Sequence, residues 1–155
     1  MNILFSYLAD SNKNSNKIII EILPTGYSII ASTIPSHSLL IIETDNADTT
    51  FSIIGNEQQR QFPAIKLNEP VERLFAGKPD TTQYGAKVVW LVFYKDNIKM
   101  IDTYLTQLAA GYIKAQHRIC IEKYHKKLSD ATAAEIDELR KTNPLRFKII
   151  LKEKK

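Results

Sequence analysis

The chain has 155 residues, 44% of them apolar and 25% charged, and carries a net charge of +4. That is enough apolar sequence to build one core and too much for a disordered chain, so a single domain spanning residues 1–155 is expected. The only cysteine, Cys120, excludes an internal disulfide, and the longest uncharged apolar run, residues 88–94, is far short of the roughly 20 residues a membrane-spanning helix needs. With no basic n-region ahead of the apolar residues near the start, a cytoplasmic protein that meets no membrane is expected.

In chain order, residues 3–8 read as a strand, and residues 10–16 (DSNKNSN) have the Asn/Ser/Asp density of an exposed loop. Residues 17–23 form a second strand, and Pro24-Thr25-Gly26 supplies a preset φ and a residue free to take positive φ, which predicts a tight hairpin into residues 27–34. Pro35-Ser36-His37 turns the chain into residues 38–44, and Asp45-Asn46-Ala47-Asp48 turns it again into residues 49–54. Five short Ile-rich runs with turn chemistry between them predict an antiparallel meander before Gly55.

The segment from Gly55 to Gly85 is polar and interrupted by Pro63, Pro70 and Pro79. Asn68 is placed to cap a short helix that opens at Glu69-Pro70 and ends near Phe75. Residues 87–94 (KVVWLVFY) are apolar on both alternating faces, the pattern of a central strand with a helix over one face. From Asp96 to about Leu128 the period changes to 3.6. Ile101, Leu105, Leu108, Tyr112, Ala115 and Ile119 fall on one stripe, opposite Thr103, Gln107, Lys114, Arg118 and His125. Gly111 lies in the middle of this helix, where glycine costs about 1 kcal/mol relative to alanine, so a kink or a close backbone contact is expected there.

Ser129 or Thr132 opens a second helix, with Thr132 and Glu135 at capping-box spacing, and Thr142-Asn143-Pro144 closes it. Leu145, Phe147, Ile149 and Leu151 then alternate with Arg146, Lys148, Ile150 and Lys152, as in a half-exposed strand at a sheet edge. The fold class expected is α+β: a largely antiparallel sheet built from the N-terminal meander plus strand 87–94, a long helix across one face, a short second helix and a final edge strand.

Charge is divided unevenly. Residues 1–80 hold 6 Lys/Arg against 9 Asp/Glu, and residues 81–155 hold 15 against 8. Lys114, Arg118, Lys126 and Lys127 on the long helix, with Arg146, Lys148 and Lys152 on the last strand, form the candidate surface for nucleic acid or an acidic protein partner; Tyr124 and Phe147 lie among them as candidates to stack on bases. A solvated helix face, a basic helix end opposed to the dipole and lysines guarding a sheet edge account for part of the same pattern. No helix-turn-helix, RNP or zinc-finger spacing is present.

His117 and Cys120, one turn apart, offer two ligands from one helix where zinc needs three or four, and His125 lies round the wheel. No metal, no cofactor and no catalytic residue is therefore expected, and the leading reading is a non-catalytic binding module. The first alternative is a small nuclease or toxin-like enzyme. It would use Glu21, Glu43, Asp45 and Asp48 around a cation, or Arg118, Glu122 and His125 without one. The second is a protein-interaction component, such as an inhibitor, an immunity factor or an assembly subunit. It would work through the aromatic side of the long helix (Tyr104, Tyr112, Ile113, Tyr124), an apolar surface that would equally suit a homodimer.

Overall fold

Apolar runs that alternate on neither face belong in the interior of a sheet, and three of them, LLIIET, VVWLVFY and FKIILK, lie in its middle. The computed structural model describes residues 19–23, 39–45, 48–54, 61–77, 87–94 and 98–152, with only the backbone of residues 19–23. Six strands, β1 (Ile19–Leu23), β2 (Leu39–Thr44), β3 (Thr50–Ile53), β4 (Phe62–Pro63), β5 (Val88–Tyr94) and β6 (Phe147–Lys152), form one sheet in the order β1-β6-β5-β2-β3-β4. Among the described residues the α-helices are α1 (Asn68–Ala76), α2 (Ile101–Tyr124) and α3 (Ala133–Thr142).

The protein is thus a mixed α and β fold, but the sheet is not largely antiparallel. The pairs β1–β6, β6–β5 and β5–β2 are parallel, and only β2–β3 and β3–β4 are antiparallel. Parallel neighbours need a crossover long enough to return the chain to the same end of the sheet. Here α1 lies in the connection from β2 to β5, and α2 and α3 lie between β5 and β6. At 24 residues, α2 is about 36 Å long and outreaches any strand it crosses. The final strand is likewise not an edge, because β6 sits between β1 and β5, and its apolar residues are buried on both faces. Of the expected meander, β2–β3 is the hairpin that forms; the strands expected at residues 3–8 and 27–34 and the turn at Pro24-Thr25-Gly26 lie outside the described residues.

Alternation along the strands divides the apolar side chains into two clusters. Leu40, Ile42, Val89, Leu91, Phe93, Phe147 and Ile149 meet Val71 and Phe75 of α1 and Tyr104, Leu108 and Tyr112 of α2. Ile41, Val92 and Ile150 form the cluster on the other face, with Leu39 and Trp90 against it. Each such side chain contributes about 1.5–3 kcal/mol when taken out of water. Tyr104 packs edge-on against Phe51 and Phe93, and Tyr112 edge-on against Phe75. The aromatic side of α2, which the second alternative offered as a docking surface, is core at Tyr104 and Tyr112.

α1 and α2 pack closely at Gly111. A β-carbon there would lie 2.5 Å from the carbonyl oxygen of Asn68 and 2.8 Å from Cβ of Val71, so of the two expectations for this glycine the close contact is the one realised. Asn68 does not cap α1. It is the helix's first residue, and its side-chain Nδ2 donates to the Ile65 carbonyl and to Oε1 of Gln107. The far end of α1 is capped by Lys87, only 7% exposed, whose ammonium donates to the carbonyls of Gly77 (2.6 Å) and Phe75 (3.3 Å). A cation suits the negative end of a helix, while burial pushes its pKa below 10.5.

The N-terminus of α2 is held by a residue some fifty positions away. Asp48, 1% exposed, turns with φ 49° in the β2–β3 connection. Its Oδ2 accepts from the backbone amides of Lys99 (2.6 Å) and Met100 (2.7 Å). A carboxylate on otherwise unpaired amides at the positive end of a helix is the favourable arrangement. Thr132 and Glu135 form the expected capping box on α3, and the helix stops at Thr142 as expected.

Candidate interaction surfaces

The seven basic residues singled out from the sequence do not converge on one surface. Lys114 and Arg118 lie on the seam between α2 and α1, where Lys114 Nζ donates to Asn68 Oδ1 at 2.8 Å and Arg118 is 3.9 Å from Glu72. Lys126 stands just past the end of α2, 2.8 Å from Glu135 of α3, and Lys127 is exposed beside it. Lys148 stands over the Trp90 ring at 5.2 Å and Lys152 lies 3.3 Å from Glu43. By the alternation of β6 these two are on the face opposite α1 and α2, with Arg146 exposed just before the strand.

Around the end of α2 the charges are arranged as a small lattice. Lys123, which was not among the seven, is 3.4 Å from Glu138 of α3 and lies over the Tyr124 ring. The hydrogen bond with Glu135 raises the pKa of Lys126, and Glu135 is in turn held below its ordinary carboxylate value by Lys126 and by the Thr132 amide. Beneath them Cys120 is fully buried, its thiol pushed up by burial and by Glu135 against a smaller opposing pull from Lys126. Of the two stacking candidates, Tyr124 is half-buried and Phe147 belongs to the core.

The residues of the metal-dependent nuclease alternative are dispersed or occupied. Glu21 and Glu43 share a row of the sheet but sit on strands three positions apart. Their backbones are therefore about 14 Å apart. Asp45 accepts from the Thr49 amide and from the hydroxyls of Thr49 and Thr50. Burial raises its pKa, but these bonds outweigh it and the net shift is downward. Asp48 holds α2. On the helix, His117 Nδ1 accepts from the Leu128 amide, and His125 ends α2 in the left-handed conformation, exposed. Among the described residues no group of three or more His, Cys, Asp or Glu is placed to hold a metal ion.

A cleft of about 260 Å³ opens at the C-terminal end of β2 and β5, lined by Glu43, Thr44, Asp45, Thr50, Phe51, Ser52, Gln61 and Tyr94. Ligands of open sheets with parallel strands bind at that end. This cleft nevertheless falls below the roughly 300–1,000 Å³ of small-molecule sites. Three of its polar side chains are already spoken for: Glu43 by Lys152, Asp45 by Thr49 and Thr50, and Thr44 by the Val92 carbonyl.

Sequence patterning did not disclose Asp48 and Lys87 as helix-end residues, nor the buried polar network of Tyr112, Gln116 and Asn143. Tyr112 donates to the Asn143 backbone carbonyl and accepts from Gln116, and the Asn143 side-chain Nδ2 donates to Gln116 and to the Phe75 carbonyl. The Asn143-Pro144 stop was a visible signal for the last of these. No described helix is long and apolar enough to cross a membrane. Comparison with protein-family models, with curated proteins and with solved structures gave no match.

Proposed function

We propose that the protein is a non-catalytic binding module that engages an acidic protein partner through its basic C-terminal half, with Lys123, Lys126 and Lys127 at the end of α2 as the principal contact. The observation that carries this reading is the pairing of Lys126 with Glu135 and of Lys123 with Glu138. A helix bearing carboxylates one turn apart already satisfies this surface, and a partner of the same chemistry fits it. Nucleic acid is the less favoured ligand. Counterion release rewards an uninterrupted run of cations along a phosphate backbone, whereas here the basic residues occupy separate places, Lys114 and Arg118 on the seam of α1 and α2 and Lys148 and Lys152 on the sheet face opposite those helices.

The test is fluorescence anisotropy with labelled poly-glutamate and with a labelled single-stranded RNA of equal length, across a salt series. Poly-glutamate binding at low salt, weakened by Lys126→Glu or Lys127→Glu and little changed by Lys148→Glu, is expected. Tighter binding of the RNA, with a steep salt slope, would transfer the reading to nucleic acid. Binding of neither probe would remove it.

A further inference from the structure

Resting on that reading, we infer that α3 is an internal occupant of the partner surface, and that the partner is an acidic amphipathic helix which competes with it. Glu135, Glu138 and Leu139 stand at positions i, i+3 and i+4, on one face of α3. The two glutamates meet Lys126 and Lys123, and Leu139 is the only buried residue of the helix. The same three-residue pattern on another chain would present the same groups to the end of α2.

The attachment of α3 is unequal along its length. Its C-terminal end is fixed: Asn143 is tied by side-chain and backbone hydrogen bonds to Tyr112, Gln116 and Phe75 in the packed layer of α1 and α2. Nearer its N-terminus, α3 meets α2 through the Glu135–Lys126 and Glu138–Lys123 ion pairs, and the connection ahead of it is tied to α2 by the Leu128 amide, which donates to His117 Nδ1. The incoming connection carries a left-handed residue at His125 (φ 58°) and a single 3-10 turn at Leu128–Asp130. Surface ion pairs are individually weak and are screened by salt. The first turns of α3 can therefore leave Lys123 and Lys126 while Asn143 stays anchored, which is the arrangement of an element that yields to a competitor.

The experiment uses the full chain and poly-glutamate as the probe. The double variant Glu135→Gln with Glu138→Gln is expected to bind the probe about 2- to 30-fold more tightly than the parent at low salt, the factor set by the release of two surface ion pairs. Glutamine at position 135 still satisfies the capping box, so α3 remains folded in this variant. Asp137→Asn removes one charge of the same sign from an exposed position of α3 that has no ion pair among the described residues. It is expected to change the affinity less than 2-fold, about what a long-range charge effect supplies. Hydrogen exchange in the parent protein is expected to quicken across residues 133–139 when the probe saturates it.

Equal gains per charge removed from Asp137→Asn and from the double variant would overturn the inference, because the effect would then be general electrostatics. So would probe binding that leaves the amides of α3 as protected as in the free protein. Failure of both the parent and the double variant to bind at low salt would instead overturn the reading on which the inference rests.

Discussion

Replacing Gly111 by alanine sets two effects of opposite sign against each other. Alanine is the better helix former, and at an open position in the middle of a helix the change would stabilise by about 1 kcal/mol. At Gly111 the new β-carbon would stand 2.5 Å from the Asn68 carbonyl oxygen and 2.8 and 2.9 Å from Cβ and Cγ1 of Val71. The oxygen belongs to the backbone of α1 and cannot rotate away. The helices must therefore separate by several tenths of an ångström, disturbing the bonds from Asn68 to Gln107 and Lys114. Overpacking of this kind costs about 1–3 kcal/mol, and more where backbone has to move.

The net expectation for Gly111→Ala is a loss of about 1–3 kcal/mol, which for a chain of this length is a fall in Tm of about 3–10 °C. Urea unfolding followed by circular dichroism measures it. Ala110→Gly, at the half-buried neighbouring position, is the companion variant and should lose about 1 kcal/mol through propensity alone. A Gly111→Ala protein as stable as the parent, with an unchanged m-value, would refute the close approach of α1 to α2.

Two further perturbations address the helix ends. Asp48→Ala should destabilise by about 2–4 kcal/mol, because two amides lose a charged acceptor and a non-glycine residue without a compensating side-chain bond is left at positive φ. Asp48→Asn, which keeps an acceptor oxygen, should lose about half as much, and an alanine variant within about 0.5 kcal/mol of the parent would mean that Asp48 does not hold α2. For Lys87, the pKa is lower in the folded state than the ordinary 10.5, so over the alkaline interval below 10.5 the unfolded chain binds more protons. Stability from this group therefore rises as pH approaches 10.5, and Lys87→Met should remove that slope. Urea midpoints of the two proteins from about pH 8 to about pH 11 read the difference, and a constant offset would contradict the buried, depressed lysine.

The elements themselves were legible in the sequence. The apolar run at residues 87–94 gave β5, the capping box at Thr132 and Glu135 gave the start of α3, and the 3.6-residue stripe of Leu105, Leu108, Tyr112 and Ala115 gave the buried face of α2. These signals are carried by residues a few positions apart. Strand neighbours were not legible, since a strand shows the same two-residue alternation whichever way its partner runs. One signal was available and pointed the other way: LLII in β2 and FKIIL in β6 lack the clean polar alternation of a one-sided antiparallel sheet. The expected edge position of β6 rested on Lys148 and Lys152, but Trp90 and Glu43 accommodate those lysines on a broad sheet face.

The candidate surface divides along the same line. The excess of positive charge in the second half was fixed by composition, and so was its concentration near the end of α2. Which cations remain available was decided by distance in space. Glu72 reached Arg118, α3 folded Glu135 and Glu138 back onto Lys126 and Lys123, and Glu43 met Lys152 from the other half of the chain. Hydrophobic period and capping are local properties, which amino-acid order by itself determines. Parallel pairing, the approach of α1 to Gly111 and the neutralisation of one charge by another are through-space properties, and the physical reason they needed the tertiary structure is that packing and Coulomb energies depend on separation in ångströms rather than in residues.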